Sequence, residues 1–224
     1  YTLWHTLSLH DALPIYSINK NYFKKKKWEL EILIVDGNSK DKTREIAKDN
    51  GAKVIIEKRK GYGRAYKTGL PKASGDIIVT GDADATYPFE RIHRYIEILL
   101  DEKLDFITTD RFSELKHGSM SVKHYFGNFI LATTLKVLYL LNIRDSQSGM
   151  WIFKKNALKK IQPLKEFNNG MPFSEEIKIE MFKSKQIKAK EIPSALYARK
   201  GTVKIESFTD GIKNLKFLLY KRVK

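Results

Sequence analysis

Two aspartates one residue apart have the spacing in this chain that most directly suggests chemistry. Asp82 and Asp84 stand in the segment GDADATYP, between an apolar run and a proline typical of the first turn of a helix. Two carboxylates in such a loop can hold a hard divalent cation, and the diphosphate of a nucleotide can fill its other coordination positions. The alternative is that both aspartates are only turn and capping residues. A lone D-x-D triplet does not decide between the two.

Other charged residues follow other apolar runs. Asp36 ends LEILIVD (30–36), and Asp110 and Arg111 end DFITTDR (105–111). Open parallel sheets bind their ligands beyond the carboxyl ends of the strands. We therefore expect these residues and the two aspartates at 82 and 84 to lie along one edge of a sheet.

Strand and helix patterns alternate along the first half of the chain. Apolar runs predict strands at 30–36, 52–58, 76–82 and 105–111. Helical patterns lie between them, at 43–51, 61–72 and 89–102. This alternation predicts an α/β fold, a single domain with a mostly parallel sheet, right-handed crossovers and flanking helices.

The pattern is less regular after residue 110. It predicts a long helix at 122–141, a loop and short strand in DSQSGMWIFKK (145–155), a helix at 175–185, a strand at 188–197 and a terminal amphipathic helix at 206–224. The run from Phe129 to Leu141 is too short for a spanning segment and is interrupted by Lys136, which favours a buried or amphipathic helix over a membrane element.

Composition limits the classes of protein and of partner. The chain has 224 residues, 42% of them hydrophobic and 30% charged, which is typical of a globular protein. It has no cysteine, which excludes disulfides and thiolate metal sites. The formal net charge of +16 favours an anionic partner: nucleic acid, an acidic bilayer or a phosphorylated substrate. No recognisable nucleic-acid module is present, so nucleic acid is not expected.

Four segments in a fixed order carry a family resemblance. They are VDGNSKDKT, KGYGRAYKTG, GDIIVTGDADATYP and DSQSGMWIFKK, and together they resemble the family 2 glycosyltransferases with the GT-A fold, closest to the branch of dolichol-phosphate mannose synthase. The resemblance covers about residues 28 to 205. The matching residues are Val35, Asp36, Ser39, Asp41 and Thr43; Gly61, Gly63, Arg64, Ala65 and Gly69; and Asp82, Ala83 and Asp84. Gly37 and Asn38 depart from the family pattern V-D-D-G-S.

The resemblance implies a role for each matching polar residue. Asp36 and Ser39 would contact the nucleoside, and Arg64 would approach the diphosphate or base. Asp82 and Asp84 would hold Mg²⁺ or Mn²⁺ against the diphosphate, with Asp84 counted among the catalytic residues. The alternatives are a strand-end turn for Asp36 and an exposed helix charge for Arg64.

Further candidates lie in the second half of the chain. Glu175 and Glu176 could be a general base, or acids that complement the dipole at a helix N-terminus. Asp145, Gln147 and Ser148 stand where family members carry an acceptor loop. Arg199, Lys200 and Lys204, in YARKGTVK, could clamp phosphates or form a solvated basic edge.

The implied activity is inverting transfer of a hexose from a nucleotide-sugar, GDP-mannose or a UDP-sugar, to a polyprenyl or dolichyl phosphate. The expected partners are this donor, this acceptor and the cytoplasmic face of a membrane. The alternatives are transfer to a sugar hydroxyl of a glycan or glycolipid, and a non-catalytic nucleotide-binding protein of the same fold. Residues 16–205 would form the catalytic domain and 206–224 a C-terminal helix.

The first fifteen residues do not fit this family. Family members begin with a strand and an acidic turn, whereas TLSLHDALPI (6–15) matches a common sequencing adapter translated in frame. A signal peptide would need a basic start and a sustained apolar core, and neither is present. We therefore expect residues 1–15 to be a non-native artefact, with native sequence resuming near Tyr16. The first strand would then be missing, leaving an unfilled slot in the sheet and a fragment impaired in folding and activity.

Overall fold

A seven-stranded sheet forms the centre of the protein. The computed structural model describes residues 2–5, 22–82, 85–115, 118–198 and 207–223. The strands are β1 (Thr2–His5), β2 (Glu31–Asp36), β3 (Lys53–Ile56), β4 (Ile77–Val79), β5 (Phe106–Leu115), β6 (Trp151–Lys154) and β7 (Ala189–Leu196). Their order is β3-β2-β1-β4-β6-β5-β7, and β6 pairs antiparallel with both β4 and β5. The other pairs are parallel, which confirms the predicted mostly parallel sheet.

Helices connect the strands at the predicted places. They are α1 (Thr43–Asp49), α2 (Tyr62–Gly69), α3 (Ile92–Asp101), α4 (Val122–Tyr139), α5 (Phe173–Lys183) and α6 (Ser207–Val223). Short 3₁₀ helices at Lys155–Lys160 and Leu164–Glu166 were not predicted, because segments of six and three residues carry too little periodicity. Of the residues described, no helix combines the length and the hydropathy needed to cross a membrane.

The slot next to β2 corrects one expectation. We expected it to be empty, but Thr2–His5 lies in it and pairs parallel with β2 and β4, with Thr2 opposite both Glu31 and Ile78. The physical reason is that a ladder uses backbone N–H and C=O groups, which any residue except proline can supply. Residues 6–15 lie outside the described ranges, so the adapter origin of that segment stays a prediction.

Alternate residues of the strands enter two separate cores. One core lies under α2 and α5, and its largest members are Leu33, Tyr66, Ile78, Phe106, Trp151, Phe153 and Phe173. The core on the opposite face lies under α3 and includes Ile77, Val79, Phe89, Ile92, Ile96, Leu99, Ile107 and Ile152. This alternation along β4, β5 and β6 follows from the two-residue period of a strand. Both faces of the sheet are therefore covered, and its ends are left for ligands.

Candidate active site

Three segments of the chain end or begin at one edge of the sheet. β2 ends at Asp36, and the chain beyond β4 continues through Thr80 to Asp82. Because β6 runs antiparallel, its first residue lies at this same edge, where the backbone N–H of Thr80 donates to Trp151 O at 2.9 Å. The loop 145–150, which precedes β6, is thereby brought beside Asp82.

Asp36 organises the turn after β2. Its buried carboxylate accepts a hydrogen bond from the backbone N–H of Ser39, at 3.0 Å to Oδ2, and Arg44 Nε lies 3.6 Å from the same oxygen. Asn38, in this turn, has a φ of +66°. Asp41 Oδ1 accepts a hydrogen bond at 3.0 Å from the backbone N–H of Thr43, the first residue of α1. Asp36 thus holds the turn at the carboxyl edge of the sheet, and its contact with a nucleoside stays a prediction.

Asp82 lies half-buried next to three tyrosines and a glycine. Gly149 donates its backbone N–H to Tyr87 Oη at 2.7 Å, and the hydroxyls of Tyr62 and Tyr66 are 3.0 Å apart. Burial raises the pKa of all three tyrosines well above the ordinary value, and the charge of Asp82 adds to this. These hydroxyls therefore stay neutral beside the Asp82 carboxylate.

Gly149 allows this close approach. A Cβ at this position would lie 2.7 Å from Tyr62 Oη, 3.4 Å from Tyr87 Oη and 3.7 Å from Asp82 Oδ2. The first distance is too short for a Cβ contact, so any other residue would force the Tyr62 hydroxyl or the loop to shift. Glycine therefore lets the 145–150 loop approach Tyr62, Tyr87 and Asp82 this closely. No pattern in the sequence indicates a role for Tyr62 or Tyr87, and Gly149 is marked only by its place in DSQSG.

A buried ion pair fixes the start of this loop. Arg111 Nε lies 2.6 Å from Asp145 Oδ2, Arg111 Nη2 lies 2.9 Å from Oδ1, and the Arg111 backbone N–H also donates to Oδ2 at 3.1 Å. Burial alone would raise the pKa of Asp145, but the charge and hydrogen bonds of Arg111 outweigh it and hold that pKa below its usual range. The pair is bidentate, and it favours the ionised form of Asp145.

Glu175 is buried against the same loop. Gln147 Nε2 donates to Glu175 Oε1 at 2.7 Å, and Glu175 Oε2 has no hydrogen-bond partner among the described residues. Burial raises the pKa of Glu175 to about 8, although Lys178 opposes this. Lys178 is itself fully buried, donates to the carbonyls of Asp145 and Ser146 at 3.1 and 2.7 Å, and has its pKa lowered by burial to about 8.

Glu176 has a different environment from Glu175. It accepts from the backbone N–H of Asn168 at 2.6 Å, from Gln162 Nε2 at 3.1 Å and from Lys221 Nζ at 3.1 Å. These partners tie the loop before α5 and the end of α6 together. Of the two predicted base candidates, the structure therefore brings only Glu175 into contact with the 145–150 loop.

The glycine-rich segment 61–69 packs against the backbone of the loop that precedes α5. A Cβ at Gly61 would lie 2.3 Å from Asn169 O, and one at Gly63 would lie 2.2 Å from Asn168 O. The backbone N–H of Arg64 donates to Asn169 O at 3.1 Å, and its side chain is partly exposed. The glycines are thus explained by close contact between α2 and the loop before α5, and Arg64 is positioned by the same contact.

Part of the predicted site lies outside the described residues: Asp84, Arg199, Lys200 and Lys204. Within the described ranges, no three His, Cys, Asp or Glu side chains are grouped as a metal site. Asp82 provides one hard oxygen donor at the edge of the sheet, which is the donor type that Mg²⁺ and Mn²⁺ take. The Asp82 carboxylate therefore fits such a cation, and Asp84, two residues further along the chain, would supply the second carboxylate.

Comparison with known proteins gives one family. The family described as "Glycosyl transferase family 2" matches residues 15–162, well over half of the chain. The low-salt glycan biosynthesis hexosyltransferase Agl6 of Haloferax volcanii is 35% identical over 191 residues, 84% of this chain and 45% of that protein. The dolichyl-phosphate hexose transferase of the same organism is 28% identical over 181 residues, 81% of this chain and 76% of that protein. The chain thus spans less than half the length of the first relative.

A solved structure shares the fold. Glucosyl-3-phosphoglycerate synthase from Mycobacterium tuberculosis, crystallised with Mn²⁺, UDP-glucose and phosphoglyceric acid, superposes with a TM-score of 0.74 at 18% identity, covering 99% of this chain and 78% of that chain. The predicted GT-A fold is therefore confirmed.

Proposed function

Because the chain belongs to glycosyl transferase family 2, in a branch similar to the dolichyl-phosphate sugar transferases, we propose that it transfers a hexose from a nucleotide-sugar to a polyprenyl phosphate. The donor would be GDP-mannose or a UDP-sugar, and the acceptor would be of the dolichyl type. The enzyme would work at the cytoplasmic face of a membrane, with inversion at the sugar carbon.

The observation that carries the proposal is the position of Asp82. Its carboxylate lies at the carboxyl edge of the sheet, within 3.7 Å of the point where a Cβ on Gly149 would lie. Asp82 and Asp84 would hold Mg²⁺ or Mn²⁺, which supplies positive charge to the departing nucleoside diphosphate. Asp36 and Ser39 would contact the nucleoside. The candidates for binding the phosphates are Arg64, Arg199 and Lys204.

The residues around Asp82 would hold it in one orientation. Neutral tyrosine hydroxyls do not compete with Asp82 as anions. The 145–150 loop, fixed by the Arg111–Asp145 pair, would form the acceptor side of the site. A rigid pair of this kind preserves geometry during a displacement.

The state of Glu175 supports an acceptor that is already ionised. Below a pKa of about 8 this carboxyl is mostly protonated, and a protonated carboxyl does not accept the proton of a sugar hydroxyl. A polyprenyl phosphate needs no such base. Transfer to a sugar hydroxyl is the second candidate, and the observation that favours it is the buried Glu175 Oε2, which has no hydrogen-bond partner among the described residues.

A screen of donors against acceptors tests the proposal. Labelled GDP-mannose, UDP-glucose and UDP-N-acetylglucosamine would each be incubated with polyprenyl phosphate or with a neutral glycolipid, with and without Mn²⁺. The expected result is metal-dependent label in the polyprenyl phosphate product from one donor. Label only in the glycolipid would favour the second candidate. Nucleotide binding without transfer to either acceptor would indicate a non-catalytic protein.

A further inference from the structure

The first residues of the 145–150 loop are held by side chains. The chain bends at Arg144 and turns at Ser146 and Gln147, so neither a strand ladder nor a helix pairs the backbone of this segment. Asp145 and Ser146 are nevertheless fully buried, and buried backbone groups need hydrogen-bond partners. The side chains that supply these partners therefore determine the shape of the loop.

Glu191 binds the amide side of this backbone. Its Oε2 accepts a hydrogen bond from the backbone N–H of Arg144 at 2.8 Å, and its Oε1 accepts one from the backbone N–H of Asp145 at 3.0 Å. Glu191 lies on β7, opposite Thr108 of β5, so the sheet fixes its position. Hydrogen bonds to a carboxylate are roughly twice as strong as neutral ones. One carboxylate therefore holds two successive amides.

Lys178 binds the carbonyl side. This fully buried residue of α5 donates from Nζ to Asp145 O at 3.1 Å and to Ser146 O at 2.7 Å. Successive carbonyls of an extended strand point in opposite directions, so two that meet one ammonium group belong to a turned backbone. Burial lowers the pKa of Lys178, and the negative charges of Asp145 and Glu191 oppose this.

The two side chains thus hold residues 144–146 from opposite sides and with opposite charges. We call Lys178 and Glu191 the backbone clamp. Replacing buried charges by apolar side chains often leaves a fold equally stable, so stability alone does not explain why charged groups stand here. Directed hydrogen bonds instead fix one backbone geometry. The residues that depend on this geometry follow directly: Gln147, which donates to Glu175, and Gly149, which lies beside Asp82.

We propose that Lys178 and Glu191 are positioning residues, which fix the backbone of 144–146 and thereby place Gln147 and Gly149 in the site. The purpose of the backbone clamp rests on the proposed function, in which this loop forms the acceptor side. A misplacement of about 1 Å at a reacting centre can lower the rate by about 10²-fold. Use of the acceptor should therefore depend on the clamp, whereas binding of the nucleotide should not.

Hydrogen exchange of backbone amides tests the clamp without any substrate. Glu191→Gln removes the charge and one acceptor oxygen, and Lys178→Met keeps the length of the side chain and removes its donors. Mass spectrometry of peptides spanning 143–147 would follow the amides of Arg144 and Asp145. We expect exchange there to be faster by at least about tenfold in each variant, since a hydrogen bond to a charged group contributes that much or more. Exchange in β2 should not change.

Kinetics test what the clamp serves. In both variants we expect kcat/KM for polyprenyl phosphate to fall by at least about tenfold, and the Kd of UDP or GDP with Mn²⁺ to stay within about twofold. The matched controls are Lys190→Met and Glu102→Gln, which break an exposed pair with 2.7 Å between Lys190 Nζ and Glu102 Oε1. Both controls should leave exchange at 143–147 and transfer unchanged.

Three results would overturn the proposal. They are unchanged exchange at 143–147 in variants that circular dichroism shows to be folded, an equal rise of exchange in β2, and faster exchange at 143–147 without any change in kcat/KM for the acceptor. If Lys178→Met does not fold, Glu191→Gln decides by the same criteria. No transfer by the unmodified chain would contradict the proposed function instead, and the exchange experiment would still confirm or refute the clamp.

Discussion

Replacing Glu175 with Gln should change how the stability of the protein depends on pH. The substitution keeps the size of the side chain and an oxygen that can accept from Gln147 Nε2, and it removes the titration. In the folded protein the pKa of Glu175 is about 8, above its ordinary value of 4.5, because burial disfavours the charged form. The folded state therefore holds a proton that the unfolded chain has released between these two pH values.

The sign and size follow from this difference. A carboxyl with a raised pKa contributes stability that is fully present below pH 4.5 and is lost as the pH rises to about 8. At roughly 1.4 kcal/mol for each factor of ten in proton affinity, the loss amounts to at most about 5 kcal/mol. Lys178, whose pKa is lowered to about 8, acts in the opposite direction only above that pH, because its proton is then lost first from the folded state.

Urea unfolding between pH 5 and pH 8 measures the effect. We expect the free energy of unfolding of the unmodified chain to fall by a few kcal/mol across this range, and that of Glu175→Gln to fall much less. Glu166→Gln, at an exposed glutamate on a 3₁₀ helix, is the matched control and should follow the unmodified chain. An unmodified chain with constant stability over this range, or a Gln variant with the same loss, would refute the assignment of Glu175 as a buried neutral acid.

Activity of the same variant separates the two acceptor classes. Because a phosphate acceptor needs no base, Glu175→Gln should retain transfer to polyprenyl phosphate within about tenfold, whereas loss of a required general base typically costs about 10²–10⁴-fold. A loss of that larger size, with folding intact, would favour a sugar hydroxyl as the acceptor.

Two further substitutions test the packing around Asp82. Asp145→Ala leaves the guanidinium of Arg111 buried without its partner and should lower the free energy of unfolding by about 3–5 kcal/mol; a loss below about 1 kcal/mol in urea unfolding would show that water replaces the carboxylate. Gly149→Ala places a Cβ 2.7 Å from Tyr62 Oη and should destabilise the fold by about 1–3 kcal/mol and reduce transfer. Its control is Gly127→Ala within α4, where a Cβ meets nothing within 4 Å. Because alanine favours the helix over glycine, thermal unfolding should show a free energy of unfolding that is higher by up to about 1 kcal/mol.

The sheet and its helices could be predicted because their signals are local. The run LEILIVD became β2, whose last four residues are buried, as expected for a strand covered on both faces. Gly51, with a φ of +78°, ends the α1 region as its position in the pattern indicated. Each of these inferences needed only neighbouring residues and the period of one element.

The environment of Asp82 could not be predicted because it joins distant segments. Tyr62, Tyr87 and Gly149 come from three different loops and helices, and nothing in their own neighbourhoods marks them. Glu175 and Glu176 are adjacent in the sequence, yet one faces the 145–150 loop and the other faces Lys221. Only the packing of α5 between these partners distinguishes the two.

The strand beside β2 shows a limit of reasoning from family motifs. The missing family motif is the basis for the prediction that the first residues differ from the family pattern, but it could not indicate that Thr2–His5 would form a strand there. Backbone pairing is insensitive to side-chain identity in a way that motif matching is not.

The most direct test of the central claim is transfer of labelled sugar to polyprenyl phosphate by the unmodified chain and by Asp82→Asn, with Asp49→Asn, at an exposed aspartate of α1, as the control. We predict Mn²⁺-dependent label in the organic phase, lost by at least about 10²-fold in Asp82→Asn because the leaving diphosphate is no longer neutralised, and retained in Asp49→Asn. Equal transfer by Asp82→Asn, or no labelled lipid with any nucleotide-sugar, would contradict the claim that Asp82 organises a lipid-phosphate glycosyltransferase site.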